Sequence, residues 1–92
     1  MANTVLFEPE LQQFRVHLEQ EHYAVVKFTV EDNTYSITST RVPDELQGKG
    51  YGKVMMEAVL PELEKMQVKV VPICSYVVHY LNRHPEWAHL KA

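Results

Sequence analysis

The residues of this chain best suited to chemistry are the three glycines of Gln47-Gly48-Lys49-Gly50-Tyr51-Gly52, all the glycine that its 92 residues contain. A residue without a side chain tolerates positive backbone angles and lets neighbouring main-chain N–H groups point into one hollow. Placed directly before a helix, such a turn also offers the helix's unpaired amides and the positive end of its dipole. The natural occupant is an anion, most often a phosphate. The single cysteine, Cys74, follows Pro72 at a strand end and opens a short helix, where start-of-helix amides lower a thiol pKa and favour the nucleophilic thiolate. The alternative for Cys74 is a small buried residue lining a slot. The five histidines, His17, His22, His79, His84 and His89, show no ligand spacing that pairs with Cys74, so no metal is expected.

These groups must be positioned by the elements around them. Residues 34–42 are rich in β-branched and aromatic side chains and end at the turn signal Pro43-Asp44-Glu45, which predicts a strand. After the glycines, Tyr51, Val54, Met55, Ala58, Val59, Leu63 and Met66 recur at helical spacing, with Lys53, Glu57, Glu62 and Lys65 on other faces. This predicts a helix packed on a sheet. Pro61 removes one backbone donor, so a kink or break is expected near residues 57–60.

Upstream, residues 14–18 and 23–30 alternate apolar and polar, and short polar connectors join them to the next strand, predicting an antiparallel meander. Residues 68–71 should return parallel to residues 34–42 by the right-handed crossover rule. Residues 74–83 form a second helix with Val77, Tyr80 and Leu81 inward, stopped by His84-Pro85. The expected fold class is therefore α/β (α+β): an antiparallel β-meander joined by a βα crossover to one parallel strand, with two main helices on the sheet. Residues 1–92 are expected to form one domain, since a chain of this length supports one two-layer core.

Nucleotide-binding turns differ in spacing. A P-loop needs two glycines five apart followed by Lys and Ser or Thr, which this chain lacks; a dinucleotide fingerprint needs a third glycine where Lys53 stands. Both also belong to folds with several βαβ units. The pattern that fits is Gln/Arg-x-x-Gly-x-Gly/Ala, met by Gln47, Gly50 and Gly52 between a strand and its crossover helix. On these residues the chain resembles the GNAT superfamily of acetyl-coenzyme A-dependent N-acetyltransferases. More narrowly, residues 40–52, followed by Val71-Pro72-Ile73-Cys74-Ser75-Tyr76 and Arg83-His84-Pro85-Glu86-Trp87, resemble its short single-domain members. The likeness runs from about Phe14 to the C-terminus.

The resemblance implies a minimal GNAT-like fold whose two parallel strands splay apart and admit the pantetheine arm of acetyl-CoA. It implies that amides of Gln47, Gly48, Lys49, Gly50, Tyr51 and Gly52 hold the diphosphate, with Lys49 or Lys53 adding charge at the rim. A backbone N–H around Thr40, Arg41 and Val42 would receive the thioester carbonyl, and Cys74 would lie where the sulfur arrives. Tyr80 matches the position of the usual proton donor to the departing thiolate, with Tyr76 one turn earlier as competitor. The implied activity is acetyl transfer to a primary amine of a small molecule or protein, directly rather than through an acetyl-cysteine. The other reading is an acyl-CoA-binding module without efficient turnover. Short relatives commonly carry a histidine and an acid on the fourth strand where this chain reads Ser39-Thr40-Arg41-Val42, so the strand-borne base that the resemblance implies has no matching residue here. His17, Glu19, His79, His84 and a water chain are the candidates left for that role.

Composition narrows the partners. With a net charge of −3 and scattered positive residues there is no electrostatic footprint for nucleic acid. No run reaches membrane-spanning length, and the first residues lack the basic and apolar regions of a secretion signal. One unpaired cysteine agrees with a reducing compartment, so a cytoplasmic home is expected. A pocket lacking the walls of longer relatives is compatible with a monomer or a weak homodimer.

Overall fold

The computed structural model describes residues 4–92. Strands β1 (Val5–Glu8), β2 (Gln13–Glu19), β3 (His22–Glu31) and β4 (Thr34–Arg41) form an antiparallel meander. Strand β5 (Lys69–Pro72) joins parallel to β4, which gives the spatial order β1-β2-β3-β4-β5. Alternation explains the layering: Phe14, Val16 and Leu18 of β2 and Ala24, Val26 and Phe28 of β3 are buried, while the residues between them stay partly or fully exposed. Two-residue connections at Gln20-Glu21 and Asp32-Asn33 close the hairpins, each starting on a left-handed residue, Gln20 (φ 51°) and Asp32 (φ 55°).

Helices α1 (Tyr51–Lys65) and α2 (Ser75–Arg83) both bury into the cluster made by that sheet face. From α1 come Met55, Met56, Val59, Leu60 and Leu63, and from α2 Val77, Tyr80 and Leu81. Each such side chain contributes ~1.5–3 kcal/mol by leaving water. The buried stripe of α1 therefore includes Met56 and Leu60, whereas Val54 and Ala58 lie at its half-buried margin. The mixed α+β class, the meander and the βα crossover follow the sequence pattern.

Three features differ from the sequence-based expectation. The sheet gains β1, which pairs Phe7 opposite Phe14 and lets Phe7, Phe14 and Phe28 meet at ring separations of 5.1 to 6.0 Å. Helix α1 runs without a break through Pro61. The flanking Leu60 and Leu63 are both fully buried, and Glu57, whose carbonyl loses its partner, is exposed, so packing outweighs one missing bond. Finally, β5 ends on Pro72, and Cys74 caps α2 rather than lying within it.

Candidate active site

The site begins where two strands separate. β4 and β5 pair only from Thr34 opposite Lys69 to Ile37 opposite Pro72. Beyond that point β4 continues to Arg41, while the amides of Ile73 and Cys74 both donate to the Ile37 carbonyl, at 3.0 and 2.9 Å, and lead the chain into α2. A gap therefore opens between the C-terminal ends of two parallel strands.

A bulge in β4 sets which side chains face this gap. Lys27 lies opposite Ser39 but its neighbour Phe28 lies opposite Ile37, leaving Thr38 as the extra residue. The helix-facing positions consequently change from Tyr35 and Ile37 in β4 to Thr40 and, just past the strand's end, Val42. Thr40 is thereby turned toward the helix layer, with its Oγ1 3.4 Å from Cys74 Sγ. The two groups meet across the gap although 34 residues separate them in the chain.

Chemistry at Cys74 follows from that contact. Burial, the largest single influence, pushes its thiol up, but the Thr40 hydroxyl and the amides of Val77, Tyr76 and Thr40 together outweigh it. The thiol sits below its ordinary value, without any full side-chain cap on the helix. Its solvent access is intermediate.

Next to the gap lies the glycine turn. Gly48 (φ 83°) and Gly50 (φ 81°) are left-handed, a conformation that disfavours any side chain, and a Cβ built on either would meet nothing within 4 Å. Gly50 caps α1 without a side-chain hydrogen bond. None of the amides of Gly48, Lys49 or Gly50 pairs with a backbone carbonyl outside regular elements, and those of Tyr51 and Gly52 lie in the unpaired first turn. The result is an open, solvent-facing row of donors that suits an anion. Gln47 stiffens its entrance, donating from Nε2 to the Val42 carbonyl at 3.0 Å and to Asp44 Oδ1 at 3.2 Å. Tyr51 is tied down at the other side: its hydroxyl donates to Glu19 Oε2 at 2.5 Å, and that bond, with burial and the Glu19 charge, raises its pKa.

Gly52 has a different reason to be glycine. A Cβ there would stand 2.6 Å from the Tyr76 hydroxyl, so α2 packs its tyrosine directly against the first turn of α1. Tyr76, Tyr80 and His84 then form a ladder along α2, with ring separations of 6.3 Å and 3.9 Å. Burial raises the pKa of both tyrosines; for Tyr80 the charges of Glu57, Tyr76 and Glu86 add to it, so its phenol stays protonated. Tyr80 makes no hydrogen bond to Thr40 or Cys74. It instead lines a cavity of about 380 Å³ with Lys53, Tyr76, His79, Arg83 and His84.

The structure thus brings Thr40 to Cys74, sets residues 47–53 beside the gap, and leaves Arg41 and Lys49 exposed. Sequence reasoning missed the Thr40–Cys74 contact, the Glu19–Tyr51 bond and the packing of Tyr76 on Gly52. The one sequence signal for the first is the change of parity in β4, where apolar positions shift from Tyr35 and Ile37 to Val42. Among the described residues no three His, Cys, Asp or Glu side chains gather as a metal site, and no helix is long and apolar enough to cross a membrane.

Comparison with known proteins adds to this geometry. A family model described as GCN5-related N-acetyl-transferase matches residues 13–90, from the start of β2 to the end of the last helical turn. No curated protein matches the chain significantly in sequence. Among solved structures, the solution structure of a GCN5-like protein from Staphylococcus aureus superposes with a TM-score of 0.70. It is 23% identical, and the alignment covers 97% of this chain and 87% of that one. At that identity the likeness is one of fold.

Proposed function

Because this chain belongs to the GCN5-related N-acetyltransferase family, we propose that it transfers the acetyl group of acetyl-CoA to a primary amine of a small molecule or protein. The observation that carries this reading is the row of unpartnered amides from Gly48 to Gly52 at the edge of a gap between two parallel strands. A diphosphate on that row directs the pantetheine arm toward the gap, where Thr40 and Cys74 line the sulfur end. Main-chain N–H groups of residues 40–42, past the last β5 pairing, stabilise the oxyanion that forms as the amine attacks the thioester carbonyl.

Transfer is direct: the nitrogen of the neutral amine bonds to the carbonyl carbon, the carbon–sulfur bond breaks, the nitrogen gives up one proton to water, and the thiolate takes one up. Two hydroxyls compete to supply it. Thr40 is nearest the gap, and Tyr80, kept neutral by burial, is the one the family pattern implies. Replacing Tyr80 by Phe decides between them, since loss of a positioned acid slows turnover ~100-fold or more. Cys74 lines the arm and its thiolate is not acylated, so Cys74→Ala retains activity in this reading. A cytoplasmic setting, where acetyl-CoA is available, goes with this function.

A second reading, an acyl-CoA-binding module, is favoured by one observation. Residues 39–42 turn only Thr40 and Val42 toward the helix layer at the gap, and neither carries a base. Calorimetric titration with acetyl-CoA, followed by turnover screens over polyamines, amino acids, aminoglycosides and lysine peptides, separates the possibilities. Binding with turnover supports the transferase, binding without turnover supports the module, and absence of binding overturns both.

A further inference from the structure

With Tyr80 as the donor to the departing thiolate, the place of the acceptor is fixed as well. The amine nitrogen and the sulfur are bonded to one carbon in the tetrahedral intermediate, so a group that reaches the sulfur is a near neighbour of the nitrogen. Tyr80 lines the cavity of about 380 Å³ between the start of α1 and α2, a volume that suits a small molecule. The lining is unusual for a chain of net charge −3: Lys53, Arg83, His79 and His84, with the rings of Tyr76 and Tyr80, and no carboxylate. Glu57 and Glu86 lie near enough to disfavour a Tyr80 phenolate but line no part of it. Among the described residues the ion pairs are those of Arg15, Lys65 and His89, so Lys53 and Arg83 keep their donors for a ligand. His84 is oriented: its Nδ1–H donates to the Tyr80 carbonyl at 2.8 Å, which leaves Nε2 for another partner.

The order of these groups along α2 sets what the acceptor must carry. Cys74 caps the helix beside the gap, and Tyr76, Tyr80 and Arg83 follow at intervals of four and three residues on one face. Arg83 therefore lies about 4.5 Å beyond Tyr80 along the axis, away from the gap. Lys53 reaches the same cavity from the first turn of α1. An amine nitrogen held at Tyr80 thus has cations, and no carboxylate, around the rest of its molecule. A polyamine would bring like charges together there, which is costly out of bulk water. We propose that the acceptor is a small primary amine that carries its own anionic group, a carboxylate or a phosphate, a few bonds from the nitrogen and seated on Arg83 with Lys53. The inference rests on the transferase reading with Tyr80 as proton donor, and narrows its acceptor from any primary amine to an anionic one. A guanidinium grips either oxyanion through two parallel charge-assisted hydrogen bonds, and the ammonium adds a point charge.

The test is acetyl-CoA turnover by the intact protein over amines matched with and without the anion: β-alanine against propylamine, phosphoethanolamine against ethanolamine, ornithine against putrescine and lysine against cadaverine. Aminoglycosides and lysine peptides are run beside them. The expected result is kcat/KM at least about tenfold higher for the anionic member of a pair, the size of one charge-assisted hydrogen bond. Arg83 is exposed, so its substitution is compatible with folding, which far-ultraviolet circular dichroism verifies. Arg83→Ala should raise KM for the anionic amine about tenfold and affect kcat far less, and Arg83→Glu should turn the preference toward the member without the anion. Equal or better turnover of amines lacking the anion overturns the inference and leaves the transferase reading standing. A preference for the anionic member that survives both substitutions overturns the subsite. A matching loss of acetyl-CoA affinity in Arg83→Ala, read by calorimetry, assigns Arg83 to the coenzyme and overturns it too. Binding of acetyl-CoA with turnover of none of these amines overturns the transferase reading, and the inference with it.

Discussion

Replacing Gly50 by alanine separates the conformational role of the glycine turn from its role as an anion cradle. Gly50 sits at φ 81°, so an L-residue there costs ~1–2 kcal/mol from the approach of its Cβ to the backbone. No further steric cost arises, because a Cβ at this position meets nothing within 4 Å. In a domain of this size that loss lowers the melting temperature by roughly 5–15 °C. The effect on ligand binding is a separate quantity. If the amides around Gly50 hold a diphosphate, a Cβ beside them and a relaxed backbone angle remove one or more charge-assisted hydrogen bonds, each worth ~1.5–3 kcal/mol. Affinity for acetyl-CoA should then fall at least about tenfold. Differential scanning calorimetry gives the first quantity and isothermal titration the second, both below the variant's melting point. A variant that melts lower yet binds acetyl-CoA as the parent does would refute the cradle, and an unshifted melting temperature would refute the conformational argument.

Further outcomes follow from other contacts. Gly52→Ala gains helix propensity of ~1 kcal/mol but pushes a Cβ to 2.6 Å from the Tyr76 hydroxyl; the gain should appear in full only in a Tyr76→Ala background. Equal melting shifts in the two backgrounds would show that the contact has no energetic weight. Cys74 should react with iodoacetamide at a lower midpoint pH than an ordinary thiol, and Thr40→Val should move that midpoint upward; an unmoved midpoint would remove Thr40 from the thiol's environment. Because the folded-state thiol pKa is depressed, its contribution to stability is present at high pH and is lost as pH falls through the folded value, which chemical denaturation at several pH values detects. Pro61→Ala restores a donor inside α1 and should stabilise the protein by ~1–3 kcal/mol in urea titration, with no change expected if the Glu57 carbonyl has another partner.

Much of the fold was legible because a period of two along β2 and β3 and a period of 3.6 along α1 each leave a direct mark on residue order. The glycine turn was legible for the same reason, since Gly48 and Gly50 occupy left-handed angles that composition alone can announce. What stayed hidden depends on contacts between distant segments. Strand β1 is only Val5 to Glu8, too short to show alternation, and exists because β2 offers it a partner. The bulge at Thr38 lies in a run of small hydroxylated residues that gives no apolar marker until Val42. The cationic cavity joins Lys53 to Arg83 across two helices, and the reason for Gly52 is a tyrosine on another helix. Pro61 shows the opposite failure, a strong local signal overridden by the burial of Leu60 and Leu63.

The extra residue in β4 makes the facing of that strand depend on its irregularity as much as on its composition. Were the bulge smoothed out with Thr38 kept in the ladder, everything downstream would rotate by half a period, sending the Arg41 guanidinium into oil and casting the threonine partner of Cys74 out into water. The sulfur would lose its nearest hydroxyl while every side chain of the pair remained in the sequence. Deleting Thr38 itself leaves Ser39, Thr40 and Arg41 opposite Lys27, Val26 and Val25 and should therefore keep the pair.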